Sequence, residues 1–163
     1  DVAGGLALLD SLATAVQQEP WYGENVHTTA RTDANLLRYQ GVAAELQGDH
    51  RTAAARFEAA IDRLADWPPH MSLYDRVHLA YNLIPLGALD RARVVIRKAL
   101  AVNPRLAEGV LVAASIEAAA GNVDDARRLL DSLERMLANA DDDFPALADA
   151  RRLRAQLPDR DRI

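Results

Sequence analysis

An all-α array of stacked helix pairs is the fold class that this 163-residue chain predicts, and three observations predict it. Half of the residues are apolar, yet only two are Phe and two are Trp, so the core has to be assembled from Ala, Leu and Val. Small side chains at that density favour helix formation and close helix packing. Three short Gly-centred turns, Leu46-Gln47-Gly48-Asp49, Leu86-Gly87-Ala88-Leu89-Asp90 and Ala120-Gly121-Asn122-Val123-Asp124, are each flanked by apolar residues at helical spacing. Gly87 and Gly121 lie 34 residues apart, a period typical of helix-turn-helix repeats. Gly48 and Gly87 lie 39 apart, and the five extra residues have a place in Trp67-Pro68-Pro69-His70-Met71, where two prolines oppose helix.

The third observation is that residue types recur at fixed offsets from each glycine. Seven residues before them stand Gly41, Ala80 and Ala114, and five after them Ala53, Ala92 and Ala126. Nine after come the bulky Phe57, Ile96 and Leu130; twelve after come Ala60, Ala99 and Leu133. Pro104 stands seventeen after the middle glycine. The steric sense is direct: two helices approach closely only where a side chain is little more than a methyl group.

These residues resemble the tetratricopeptide repeat, and the resemblance covers about residues 34 to 139. In that family a small residue on the first helix of each pair faces an Ala on the second, a bulky residue follows a turn later, and Pro closes the unit. Gln40 and Ala113 depart from the large apolar residue that Leu79 supplies, the opening aromatic of the consensus is missing, and Ala44, Leu83 and Glu117 stand where a second aromatic is usual. The resemblance implies a right-handed superhelical solenoid of antiparallel helix pairs.

The elements follow in order within one domain spanning residues 1–163. Residues 1–33 are expected to form a leading helix and loop. In residues 2–18 Leu8, Leu12 and Ala15 share a stripe that ends before Pro20; this is a leading helix or the second helix of a worn repeat. The first repeat, 34–66, is read as helices at 34–47 and 50–65; the second, 72–104, as helices at 72–86 and 89–102; the third, 105–139, as helices at 105–120 and 123–139. Asp49, Asp90, Asn122 and Asp124 fall near the starts of second helices, where an oxygen accepts an unpaired backbone N–H and negative charge suits the dipole. Residues 141–158 are expected to cap the array with a helix near 143–157, its start served by Asp142 or Asp143 and its apolar side by Leu147, Ala150, Leu153 and Leu157.

The family resemblance further implies a concave groove, lined by the first helices, that holds a peptide or a partner protein. Carried onto this chain, that lining is Asn35, Arg38, Val42 and Glu45, then Tyr74, Val77, His78 and Tyr81, then Glu108, Leu111 and Ser115. Tyr74 and Tyr81 are seven residues apart and so share a helix face, and exposed Tyr is a frequent interface anchor. Some family members grip carboxylate tails with a clamp of Lys, Arg and Asn. Here Val42 replaces the expected Asn, His78 stands for another, and Glu108 and Val112 replace two basic residues, so only Arg38 remains and no such ligand is expected.

Other chemistry finds little support in the residues. His27, His50, His70 and His78 include no pair at the i, i+4 spacing of a helical metal site, so no metal or cofactor is expected. Neither GxSxG, nor HExxH, nor a Gly-rich phosphate loop occurs, which points away from an enzyme. A net charge of −5 argues against a nucleic-acid partner, and Arg91, Arg93, Arg97 and Lys98, with Arg127, Arg128 and Arg135, read as a solvated outer face interleaved with acids. No apolar run reaches the roughly 18 residues of a membrane span. Trp67 is expected to plug the gap left by the longer inter-repeat connection, with a contact residue as the alternative. The absence of Cys suits a reducing cytoplasm and an oxidising compartment alike. The expected function is an adaptor or scaffold that binds a protein or peptide; the alternatives are a regulatory or oligomerising domain, including one that forms a homo-oligomer, of a larger bacterial protein whose enzymatic or DNA-binding part lies elsewhere, and a secretion-type chaperone.

Overall fold

In the computed structural model, which describes residues 2–19, 26–141 and 144–158, the regular elements are all helical and no strand occurs among the described residues. In chain order they are α1 (Val2–Gln17), α2 (Val26–Leu46), α3 (His50–Arg63), a 3-10 turn at Pro69–Ser72, α4 (Leu73–Leu83), α5 (Leu89–Val102), α6 (Ala107–Ala119), α7 (Val123–Met136) and α8 (Pro145–Gln156). Each α-helix packs on the next in the chain, and α4 additionally touches α2 and α6, while α6 touches α8.

Several boundaries differ from the sequence reading for local reasons. Helix α2 starts at Val26 rather than near residue 34, because no Gly or Pro interrupts residues 26–40. Residues 26–33, expected as loop, are therefore helical. Helix α4 stops at Leu83 rather than 86, because Pro85 lacks an N–H and its ring crowds the carbonyl one turn back. The Pro68-Pro69 pair does more than lengthen a connection: Pro69 opens the 3-10 turn, where a missing N–H costs nothing. Trp67 beside it is half-buried. Helix α8 begins at Pro145 with Phe144 at the cap position; Asp142 and Asp143 lie outside the described residues.

The three glycine turns share one geometry. Gly48, Gly87 and Gly121 have φ of 75°, 71° and 77°, a region that a Cβ disfavours. In each, the residue after Gly donates its N–H to a carbonyl five residues back: Asp49 to Ala44 at 3.0 Å, Ala88 to Leu83 at 3.1 Å, Asn122 to Glu117 at 2.8 Å. That is the Schellman ending, which satisfies orphan carbonyls and turns the chain into the next helix. Asp49 caps α3 through Thr52 N–H at 3.1 Å, as expected. Asn122 does not cap α7: its amide donates to Glu117 instead, at 2.7 Å.

The recurring small and bulky residues occupy the seams. Ala53, Ala92 and Ala126 are fully buried, as are Phe57, Leu130, Ala60, Ala99 and Leu133. A Cβ on Gly41 would stand 3.0 Å from the Phe57 ring, so α2 and α3 touch at a point where only hydrogen fits. One apolar cluster runs from Ala44 to Ile116 and a second joins α6, α7 and α8 around Leu130, Leu133 and Ala150, with Leu100 packed against both. Helix α6 is apolar nearly all round because it packs against α4, α5, α7 and α8, whereas α7 buries one stripe, Ala126, Leu130 and Leu133.

Candidate functional site

The residues expected to line a groove fall into two groups, one engaged within the protein and one facing water. The first group builds a polar seam between α2 and α4. Arg38 on α2 grips the carboxylate of Asp75 on α4 with Nε at 2.6 Å and Nη2 at 2.7 Å, and also donates to Asn35 Oδ1 at 2.8 Å and Met71 O at 3.3 Å. Asp75 is wholly buried. Its hydrogen bonds to the guanidinium raise the Arg38 pKa above the usual arginine value. A carboxylate taken this far out of water is tolerated because its pairing with the partly exposed guanidinium is bidentate.

Two turns further along, Glu45 on α2 accepts from His78 Nδ1 at 3.0 Å and from Asn82 Nδ2 at 2.5 Å. Asn82 is wholly buried and also donates to the His78 carbonyl at 2.8 Å. With both amide hydrogens directed at acceptors, its Oδ1 must accept, so His50 Nδ1, 2.9 Å away at the start of α3, carries a proton. The His78 ring stacks on Phe57 with centroids 4.9 Å apart and planes at 15°. The seam thus couples α2, α3 and α4 through His50, Asn82, Glu45 and His78.

The second group is exposed. Tyr74 and Tyr81 keep 55% and 45% of their surface, on one face of α4; the Tyr81 ring meets His50 edge-on at 6.3 Å. Glu108, in the first turn of α6, is exposed. Four expected lining residues contribute little surface. Val77 is buried in the core, because the α4 side that carries Leu73, Val77 and Ala80 is packed within the main apolar cluster. Val42 and Leu111 are half-buried against the two apolar clusters. Ser115 is half-buried and returns its hydroxyl to Leu111 O at 3.0 Å, a bond within its own helix.

The sequence reading passed over Asp75 and Asn82, the two polar residues that organise the seam. A signal was present: Arg38 and Asp75, like Glu45 and Asn82, are 37 residues apart, two short of the 39 that separate Gly48 from Gly87. A second pairing was missed at Glu117. It receives Arg93 Nε and Nη2 at 2.8 and 2.9 Å, plus Asn122, so a charged residue occupies a site where the repeat pattern calls for an aromatic. Those bonds, the Arg93 ones first, hold the Glu117 carboxyl below the usual carboxylate range.

Surface ion pairs join Arg91 with Glu58, Arg128 with Asp125, Arg152 with Asp149, and Arg154 with Asp131 at 2.6 Å and Glu134 at 3.1 Å. Of the remaining histidines, His70 is exposed, and the side chain of His27 lies outside the described residues. Among the described residues, His, Asp and Glu side chains nowhere form a group of three able to hold a metal ion. No helix of the described residues is long and apolar enough to cross a membrane. No family model matches the chain, and no curated protein is significantly similar to it.

Proposed function

We propose that the chain is a protein–protein interaction module, a tetratricopeptide-like solenoid whose first helices present a concave surface to a peptide or partner protein. The observation that carries this reading is the exposure of Tyr74 and Tyr81 on one face of α4, next to a seam whose charges are satisfied internally. Two aromatic rings held in water on a helix that is otherwise well buried are poor contributors to folding and good contributors to contact. The solenoid reading is supported by three identical glycine turns and by the neighbour pattern, in which α2, α4 and α6 touch in series while α3 and α5 pack between them.

The test replaces Tyr74 and Tyr81 together by Ala and compares the partners each form retains from lysate of the producing cells. The expected outcome is loss of specific partners with unchanged far-ultraviolet circular dichroism. Equal recovery by both forms would contradict the groove assignment.

A further inference from the structure

We infer that the surface carrying Tyr74, Tyr81 and Glu108 takes a basic peptide segment, one that offers Lys or Arg side chains to the two rings; this rests on the groove reading above. The charge state of the surface selects the ligand. Arg38, the guanidinium that the first helices contribute to the expected lining, is spent on buried Asp75, with four of its five N–H donors engaged within the protein, so it has little left for a ligand carboxylate. Glu108, exposed on α6, the helix that packs beside α4, pairs with no cation among the described residues. Arg105 lies outside α6, in the connection that precedes it.

What the face offers is therefore electron-rich: two tyrosine rings with half their surface in water and a free carboxylate. A cation over a tyrosine face is attracted by the ring quadrupole, and a carboxylate one helix away adds Coulomb attraction and hydrogen-bond acceptors. An acidic peptide meets repulsion at Glu108, and Arg76, the other arginine of α4, stands two residues from Tyr74 and so on a different side of the helix. The net charge of −5 steers a basic partner in the same direction.

The test measures binding of three short, terminally blocked peptides that alternate Lys, Ser or Glu with Ala. The Lys peptide is expected to bind about tenfold or more tighter than the Ser peptide, and the Glu peptide weakest. Tyr74→Leu with Tyr81→Leu is expected to lose about tenfold for the Lys peptide, whereas Tyr74→Phe with Tyr81→Phe, which keeps both rings, stays within about twofold. Glu108→Gln is expected to lose about threefold, and Asp62→Asn, on the exposed side of α3, to change nothing. Helical content is checked for each variant. If the Ser or Glu peptide binds as well as the Lys peptide and responds to the Leu variants, the groove stands and the basic preference falls. Lys-peptide binding that ignores the Leu variants, or that Asp62→Asn weakens as much as Glu108→Gln, would mean diffuse attraction and overturn the inference. If no peptide binds, both the inference and a peptide groove fall.

Discussion

Asp75 is a wholly buried carboxylate, and its partner Arg38 determines whether that environment is tolerable. Arg38→Met removes the guanidinium and leaves a buried carboxylate without compensation, a loss expected to cost about 3 kcal/mol. Arg38→Met with Asp75→Leu should recover most of it, because a seam without either charge has nothing to desolvate. Urea unfolding of the two variants measures the difference; equal destabilisation would show that the seam depends on something besides the ion pair. Glu117 gives a pH signature. Its folded pKa is held below the roughly 4.5 of an unfolded chain by Arg93 and Asn122, so its contribution is complete above about pH 4.5 and is lost as pH falls through the depressed value. Asp49, lowered by its bonds to Thr52, acts in the same direction. The melting temperature should therefore decline below about pH 4.5, and less steeply in Glu117→Gln than in the parent, as thermal melts across that range would show.

At the scale of elements, Ala92 marks where α5 meets its neighbours, wholly buried in the main apolar cluster. Ala92→Leu is expected to force the helices apart at a cost of about 1–3 kcal/mol, seen as a lower melting temperature. A neutral result would place Ala92 away from the seam. The elements were legible where their signals are local. Gly48, Gly87 and Gly121 announce turns because positive φ excludes most side chains, and the recurrent Ala positions announce close contact because only a methyl fits. Helix α5 runs from Leu89 to Val102, as the spacing indicated. Boundaries set by chain context were less legible. The early start of α2 depends on what is absent between residues 26 and 40, and the early end of α4 depends on Pro85 inside an apolar run that otherwise reads as helix. The polar seam was hidden for a different reason. Arg38, Asp75, Glu45 and Asn82 look like ordinary surface residues one at a time, and only the stacking of α2 beside α4 brings them together.

For the whole molecule, the same packing that hides the polar seam leaves the tyrosines out. Helix α4 lies between α2 and α6, spends Asp75, His78 and Asn82 on the α2 side, buries Leu73, Val77 and Ala80 in the core, and presents Tyr74 and Tyr81 to water. Their pairing at seven-residue spacing was visible in the sequence; that Val77 between them is buried, and that Arg38 is occupied, was not, because both depend on which helices surround α4. A binding module is expected to use that face and to leave the outer side of α5 idle. Site-specific photocrosslinking measures this most directly, with p-benzoylphenylalanine placed at Tyr74 in one form and at exposed Ala101 of α5 in another. Specific covalent adducts from position 74 and none from position 101 are the expected result; adducts from 101 alone, or equally from both, would contradict the assignment of function to the tyrosine face.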